Sequence, residues 1–161
     1  MATEKISFEQ FLEAVDPNYQ KFAQDLHDYL LDNSCKVVIE EKKSGYLASY
    51  KYGKPPRAMV NFLFRKAGML VRIYGENISE YRDFLNTLPP EMVQSIDNAG
   101  ECKRLVNNTC SPKCTGYDFT IGDAHFQKCR YNCFEFLVTN DSIPFIKSFV
   151  ESEINARLAV V

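Results

Sequence analysis

GYLASYKYGKPPRAMVNFLFRKAGMLVRIYGEN, residues 45–77, is the stretch that decides the fold. Three runs within it, Tyr46 to Tyr52, Met59 to Phe64 and Met69 to Tyr74, are rich in aromatic and β-branched residues. Gly53-Lys54-Pro55-Pro56 and Lys66-Ala67-Gly68 cut them apart. Runs of this kind bounded by Gly and Pro read as strands joined by tight turns. Val37-Val38-Ile39, ahead of Gly45, adds another. After Pro56, Ala58, Val60, Phe62 and Phe64 fall on one face and Met59, Asn61, Leu63 and Arg65 on the other. The stretch predicts three or four antiparallel strands.

Outward from this sheet the period changes. Ser7-Phe8-Glu9-Gln10 has the form of a capping box, and Phe8, Phe11, Leu12 and Val15 follow at helical spacing. Asp16-Pro17 restarts the chain as N-cap and first helical residue. Phe22, Leu26, Tyr29 and Leu30 carry a second helix to about Asn33. Downstream, 78–88 and the segment from Pro89-Pro90 to Gly100 read as helices. Tyr117 to Ile121, a Gly122-Asp123 turn and Phe126 to Thr139 read as a hairpin. Asp141-Ser142-Ile143-Pro144 opens a last helix with Phe145, Phe149 and Ile154 inward. The order predicts one α+β domain over residues 1–161: N-terminal helices, a central antiparallel sheet of about five to six strands and a C-terminal helix.

The chain has 161 residues, 45% of them hydrophobic and 25% charged, within the range of a globular domain. No apolar run approaches the roughly 18 residues of a membrane span. The opening MATEKISFEQ has early acids and no hydrophobic core of a leader, so a cytoplasmic location is expected, with no membrane partner. That location disfavours disulfides and makes the sequons at Asn77, Asn107 and Asn140 irrelevant.

Five of the six cysteines fall in the segment 102–133. From Cys102 the gaps are seven residues to Cys110, three to Cys114, fourteen to Cys129 and three to Cys133. Four thiolates close a tetrahedral zinc site, and Gly100, Asn107-Asn108, Ser111-Pro112 and Gly116 supply a loop that can bend them to one point. A structural zinc on Cys102, Cys110, Cys114 and Cys129 is the expectation. Cys133 is set aside on geometry: in an extended run, four residues put its Cα about 13 Å from that of Cys129, too far for one zinc. Phe134, Phe136 and Leu137 around it favour a core thiol, unless a bulge at Tyr131-Asn132 intervenes. His125, with HxxxC spacing to Cys129, is an alternative ligand. Scattered core thiols, a redox thiol pair and an iron–sulfur cluster compete with zinc. Cys35 reads as ordinary packing.

Cys102-Lys103-Arg104-Leu105, Cys110-x3-Cys114, Gly116-Tyr117-x-Phe119 and Lys128-Cys129-Arg130-Tyr131-x2-Phe134 together resemble a family of small bacterial proteins with this cysteine motif. The resemblance covers about residues 45–150, and residues 50–77 would be that family's central sheet. The helix-then-sheet order around Tyr52-Gly53-Lys54-Pro55 is similar, more distantly, to other small bacterial α+β domains. Both imply a fold; neither implies a catalytic mechanism.

The net charge of −2 is unevenly spread. Residues 42–75 hold eight bases, Lys42, Lys43, Lys51, Lys54, Arg57, Arg65, Lys66 and Arg72, and no acid. Interleaved with aromatics, such a stretch can bind nucleic acid; a solvated sheet face with protective edge lysines is favoured over that. A small anionic ligand would need one end of the sheet, Lys54 and Arg57 with a residue from another strand, because Arg57 and Arg65 are about 26 Å apart along an extended strand. No P-loop, GxSxG or HExxH is present. His27 reads as a surface or boundary residue, and Glu40-Glu41, Glu151 and Glu153 as solvated charges. The functional expectation is a binding or regulatory module with structural zinc, leaning away from an enzyme. The alternatives are a thiol redox enzyme and a nucleic-acid-binding protein.

Overall fold

The computed structural model describes residues 5–54, 56–102, 116–129 and 133–159. In chain order its elements are α1 (Phe8–Glu13), a 3-10 turn (Pro17–Tyr19), α2 (Gln20–Asp32), β1 (Lys36–Lys42), β2 (Gly45–Tyr52), β3 (Arg57–Arg65) and β4 (Gly68–Ile73). Then come a second 3-10 turn (Ile78–Tyr81), α3 (Arg82–Leu85), α4 (Pro90–Asn98), β5 (Tyr117–Ile121), β6 (Ala124–Lys128), β7 (Glu135–Leu137) and α5 (Ile143–Ala159). The class is α+β, with N-terminal helices, a five-stranded antiparallel sheet in the order β1-β2-β3-β4-β7, a separate β5-β6 hairpin and a C-terminal helix.

Local chemistry explains the boundaries. Ser7 and Gln10 make the reciprocal capping box, and the Asp16 side chain accepts from the Asn18 amide ahead of α2. Two-residue turns join β1 to β2 and β3 to β4, pairing Lys42 with Gly45 and Arg65 with Gly68. Gly45 has φ +135°, and a Cβ there would lie 2.9 Å from the Phe64 ring; only glycine suits that position. Thr139 and Ser142 exchange side-chain and backbone hydrogen bonds at the head of α5.

Register sorts the sheet into rows. Ala48, Phe62, Val71 and Phe136 are direct cross-strand neighbours, each at most 1% exposed. Phe11 stacks on Phe62 with ring centres 5.7 Å apart, Phe22 meets it at 6.5 Å, and Phe149 meets Phe136 at 6.1 Å. Helices α1, α2 and α5 therefore cover this face, the one holding Val60 and Phe62. Burying each such ring contributes about 1.5–3 kcal/mol. The alternate row, Ser49, Asn61, Arg72 and Glu135, is polar. Arg72 donates from Nε and Nη2 to Glu135 Oε2 at 3.0 and 2.9 Å, a charge-assisted cross-strand pair.

One expected element is corrected. Phe126 to Thr139 is not one strand: β6 ends at Lys128, and β7 pairs with β4 in the other sheet. The Cys133 amide donates to the Cys129 carbonyl at 3.0 Å, so Cys129 and Cys133 lie close together. Phe134 gains Tyr117, Phe119 and Phe149 as ring neighbours at 5.3, 5.3 and 4.9 Å by leaving the hairpin. The segment 78–88 is also shorter in regular helix than its periodicity predicts, a 3-10 turn followed by one turn of α-helix.

Candidate functional site

Of the four expected zinc ligands, Cys110 and Cys114 lie outside the described residues, while Cys102 and Cys129 lie within them. Glu101 and Lys128 form an isolated antiparallel bridge. The Cys102 amide donates to Gln127 O and the Cys129 amide to Gly100 O, both at 2.9 Å. This register makes Cys102 and Cys129 diagonal neighbours on one face of the ribbon. Such positions are on the order of 7–8 Å apart at Cα, a span two thiolates on a single metal can bridge. Sequence spacing alone, twenty-six intervening residues, carried no sign of that pairing.

The distance argument against Cys133 fails. With its amide on the Cys129 carbonyl at 3.0 Å, its Cα lies within about 7 Å of that of Cys129, not the roughly 13 Å of an extended run. Its burial remains: Cys133 is fully buried in the apolar core, and burial pushes its thiol well above the usual range, against the nearby Lys128 ammonium. Cys35 is also buried, its thiol pushed up to about 11 by desolvation. Both shifts run opposite to that of a reactive thiolate. The four described cysteines are free thiols.

Two further side chains frame this corner. Lys128 is only 6% exposed, and its ammonium donates to the carbonyls of Asp97 and Ala99 at 2.9 and 3.0 Å. It satisfies the C-terminal end of α4, where a cation meets the negative end of the helix dipole. His125 sits on the exposed face of the hairpin, its Nε2 hydrogen-bonded to Asp118. That bond holds the Asp118 carboxyl below its usual range. His125 and Cys129 are separated along an extended strand, about 13 Å for four residues, so the HxxxC spacing does not bring them together. Among the described residues no group of three or more His, Cys, Asp or Glu is placed to hold a metal.

Six of the eight bases of the basic stretch line two clefts at opposite ends of β3. At the Arg65 end, Lys42, Lys43, Arg65 and Arg72 line a cleft of about 340 Å³ with Tyr46 and Phe64. Two of these cations are already engaged, Lys42 with Glu40 and Arg72 with Glu135. At the Arg57 end, Tyr52, Gly53, Lys54, Arg57, Glu76, Asn77 and Arg157 line a cleft of about 400 Å³. The expected pair Lys54 and Arg57 is thus joined by a third cation, from α5 and not from another strand.

Arg157 owes its position to Glu153, which sequence reading placed in solvent. The carboxylate is instead fully buried. It accepts from the Asn77 amide at 3.1 Å, Asn77 Nδ2 at 2.9 Å, Tyr81 Oη at 2.6 Å and Arg157 Nε at 2.7 Å. Four donors fill the lone-pair sites of a carboxylate. Arg157 Nη2 also donates to Tyr74 O at 3.1 Å. The available signal was the Glu153–Arg157 spacing of four on a helix. His27, read as a surface or boundary residue, is buried: it is 8% exposed, stacked on Phe8, with Nδ1 2.7 Å from Tyr50 Oη.

Comparison with known proteins gives no significant match to a family model, a curated protein or a solved structure. The resemblance of the cysteine motif to a bacterial family therefore rests on the motif residues alone. No helix among the described residues is long and apolar enough to cross a membrane.

Proposed function

We propose that the protein is a binding or regulatory module whose cysteine-rich segment closes a structural zinc site on Cys102, Cys110, Cys114 and Cys129. One observation carries the reading: the Glu101–Lys128 bridge brings Cys102 and Cys129 to diagonal positions on one face. Tetrahedral zinc accepts four thiolates at about 2.3 Å, and a site so closed contributes folding energy and not chemistry. The metal would pin the 102–129 segment to the hairpin, which in turn packs on Phe134.

Zinc retention in single variants tests the ligand set. Cys102→Ser, Cys114→Ser and Cys129→Ser are each expected to lose most of the metal during dialysis against a mild chelator, and Cys133→Ala to keep it. Loss from Cys133→Ala with retention in Cys102→Ser would replace one ligand by the other. Retention in all four variants would overturn the site. Iron in place of zinc, visible as colour, would assign the thiolates to an iron–sulfur cluster instead.

A further inference from the structure

The cleft at the Arg57 end is made of none of the cysteines, and it deepens the binding-module reading while standing apart from its zinc. We infer that this cleft is a binding site for a small phosphorylated molecule, with Arg157 as a fixed anchor and Lys54 and Arg57 as arms that close on the phosphoryl group.

Three observations converge on it. First, the Arg157 guanidinium is preorganised. Its side chain is 10% exposed, Nε is held by the fully buried Glu153, and Nη2 is held by the Tyr74 carbonyl. A guanidinium has five N–H donors, so the remaining ones are fixed in the wall of the cleft. An anchor held in advance loses little freedom when a ligand arrives. Second, Lys54, after β2, and Arg57, at the start of β3, flank the cleft, and their side chains have no ion-pair or hydrogen-bond partner among the described residues. Gly53, with φ +93°, turns the chain beside them. Third, the space of about 400 Å³ exceeds what a lone phosphate needs, and the half-buried Tyr52 ring supplies an apolar wall for an organic body.

The directions of the donors select the anion. Arg157 approaches from α5, while Lys54 and Arg57 approach from the sheet end. A planar carboxylate offers two oxygens in one plane, whereas a phosphoryl group offers three oxygens in different directions. Donors on two separate elements suit the second. Glu76 also lines the cleft and Glu153 lies against Arg157, so the net positive charge is modest. It suits a single phosphoryl group better than a polyanion.

Binding of phenyl phosphate, inorganic phosphate and benzoate to the full chain, by calorimetry and thermal shift at fixed ionic strength, tests the proposal. Phenyl phosphate is expected to bind saturably, more tightly than inorganic phosphate, with benzoate weakest. Losing charge-assisted hydrogen bonds in Lys54→Ala/Arg57→Ala should weaken phenyl phosphate by about tenfold or more. Arg65→Ala, at the other end of β3, should leave it unchanged. Both arms are exposed, so these variants keep the fold. No saturable binding at millimolar phenyl phosphate would overturn the proposal, as would an equal loss in Arg65→Ala. Benzoate binding as tightly as phenyl phosphate would overturn the phosphoryl assignment. An oligonucleotide that displaces phenyl phosphate and depends on both Arg57 and Arg65 would replace the small ligand by a nucleic acid. Zinc content is a separate measurement, so failure here and failure of the metal site are told apart.

Discussion

Glu153→Ala puts the least expected feature of the structure to a quantitative test. The carboxylate is fully buried and carries four hydrogen bonds from Asn77, Tyr81 and Arg157. Removing it strands three donor groups and leaves Arg157 inside the protein without its counter-charge. Breaking a buried pair in this way costs about 3–5 kcal/mol, a large part of a typical stability of 5–15 kcal/mol. At about 2–4 °C per kcal/mol for a chain of this size, Tm should fall by about 6–20 °C. Urea unfolding monitored by circular dichroism should show the midpoint moving left with the slope unchanged, which separates lost stability from a changed unfolded state. Glu153→Leu/Arg157→Met is the control: it removes the unpaired buried charge but leaves the Asn77 and Tyr81 donors stranded, so it recovers part of the loss and not all of it. A Tm within about 2 °C of the parent in Glu153→Ala, or no recovery in the double variant, would refute the buried ion pair as the brace of α5.

Three other perturbations follow from single contacts. Ser34, with φ +69°, follows the end of α2 where Cys35 N bonds Leu30 O; Ser34→Gly relieves that left-handed residue and should raise stability by about 1 kcal/mol, read as a higher urea midpoint. Burial lowers the His27 pKa below its ordinary value, against the opposing pull of Asp28 and Glu9. The unfolded chain therefore takes up the proton first. His27 contributes stability fully present above about pH 6.5 and lost as pH falls through the lowered folded value; His27→Gln should flatten the Tm profile there, and an unchanged slope would refute the assignment. Lys128→Met leaves the Asp97 and Ala99 carbonyls without their ammonium donor and should cost about 1–3 kcal/mol, while Lys51→Met, at an exposed position of β2, should cost almost nothing.

The sheet and helices were legible because their signals are local. Alternation in residues 57–65 set the faces of β3, Ser7 and Gln10 set the start of α1, and Gly45 and Gly68 set the turns. The break between β6 and β7 was not legible, since Phe126 to Thr139 keeps a strand-like composition throughout. Tertiary competition for Phe134 decides it, along with pairing of Glu135 with Arg72 across sixty-three residues of sequence separation. The same non-locality hid the diagonal pairing of Cys102 with Cys129 and the arrival of Arg157 beside Lys54 and Arg57. Charge pattern grouped Lys54 and Arg57 at one end of the sheet, where both line a cleft. It could not show that the third cation comes from a helix, because Glu153 and Arg157 read equally well as an exposed pair.

Metal stoichiometry of the folded chain tests the central claim most directly. Protein purified without chelator, compared by mass spectrometry under native and denaturing conditions, should differ by the mass of about one zinc per chain. Its removal should loosen the Glu101–Lys128 bridge, with amide exchange rising at Cys102 and Cys129. A native mass equal to the bare chain, in protein that is fully folded and protected at those two amides, would contradict the account.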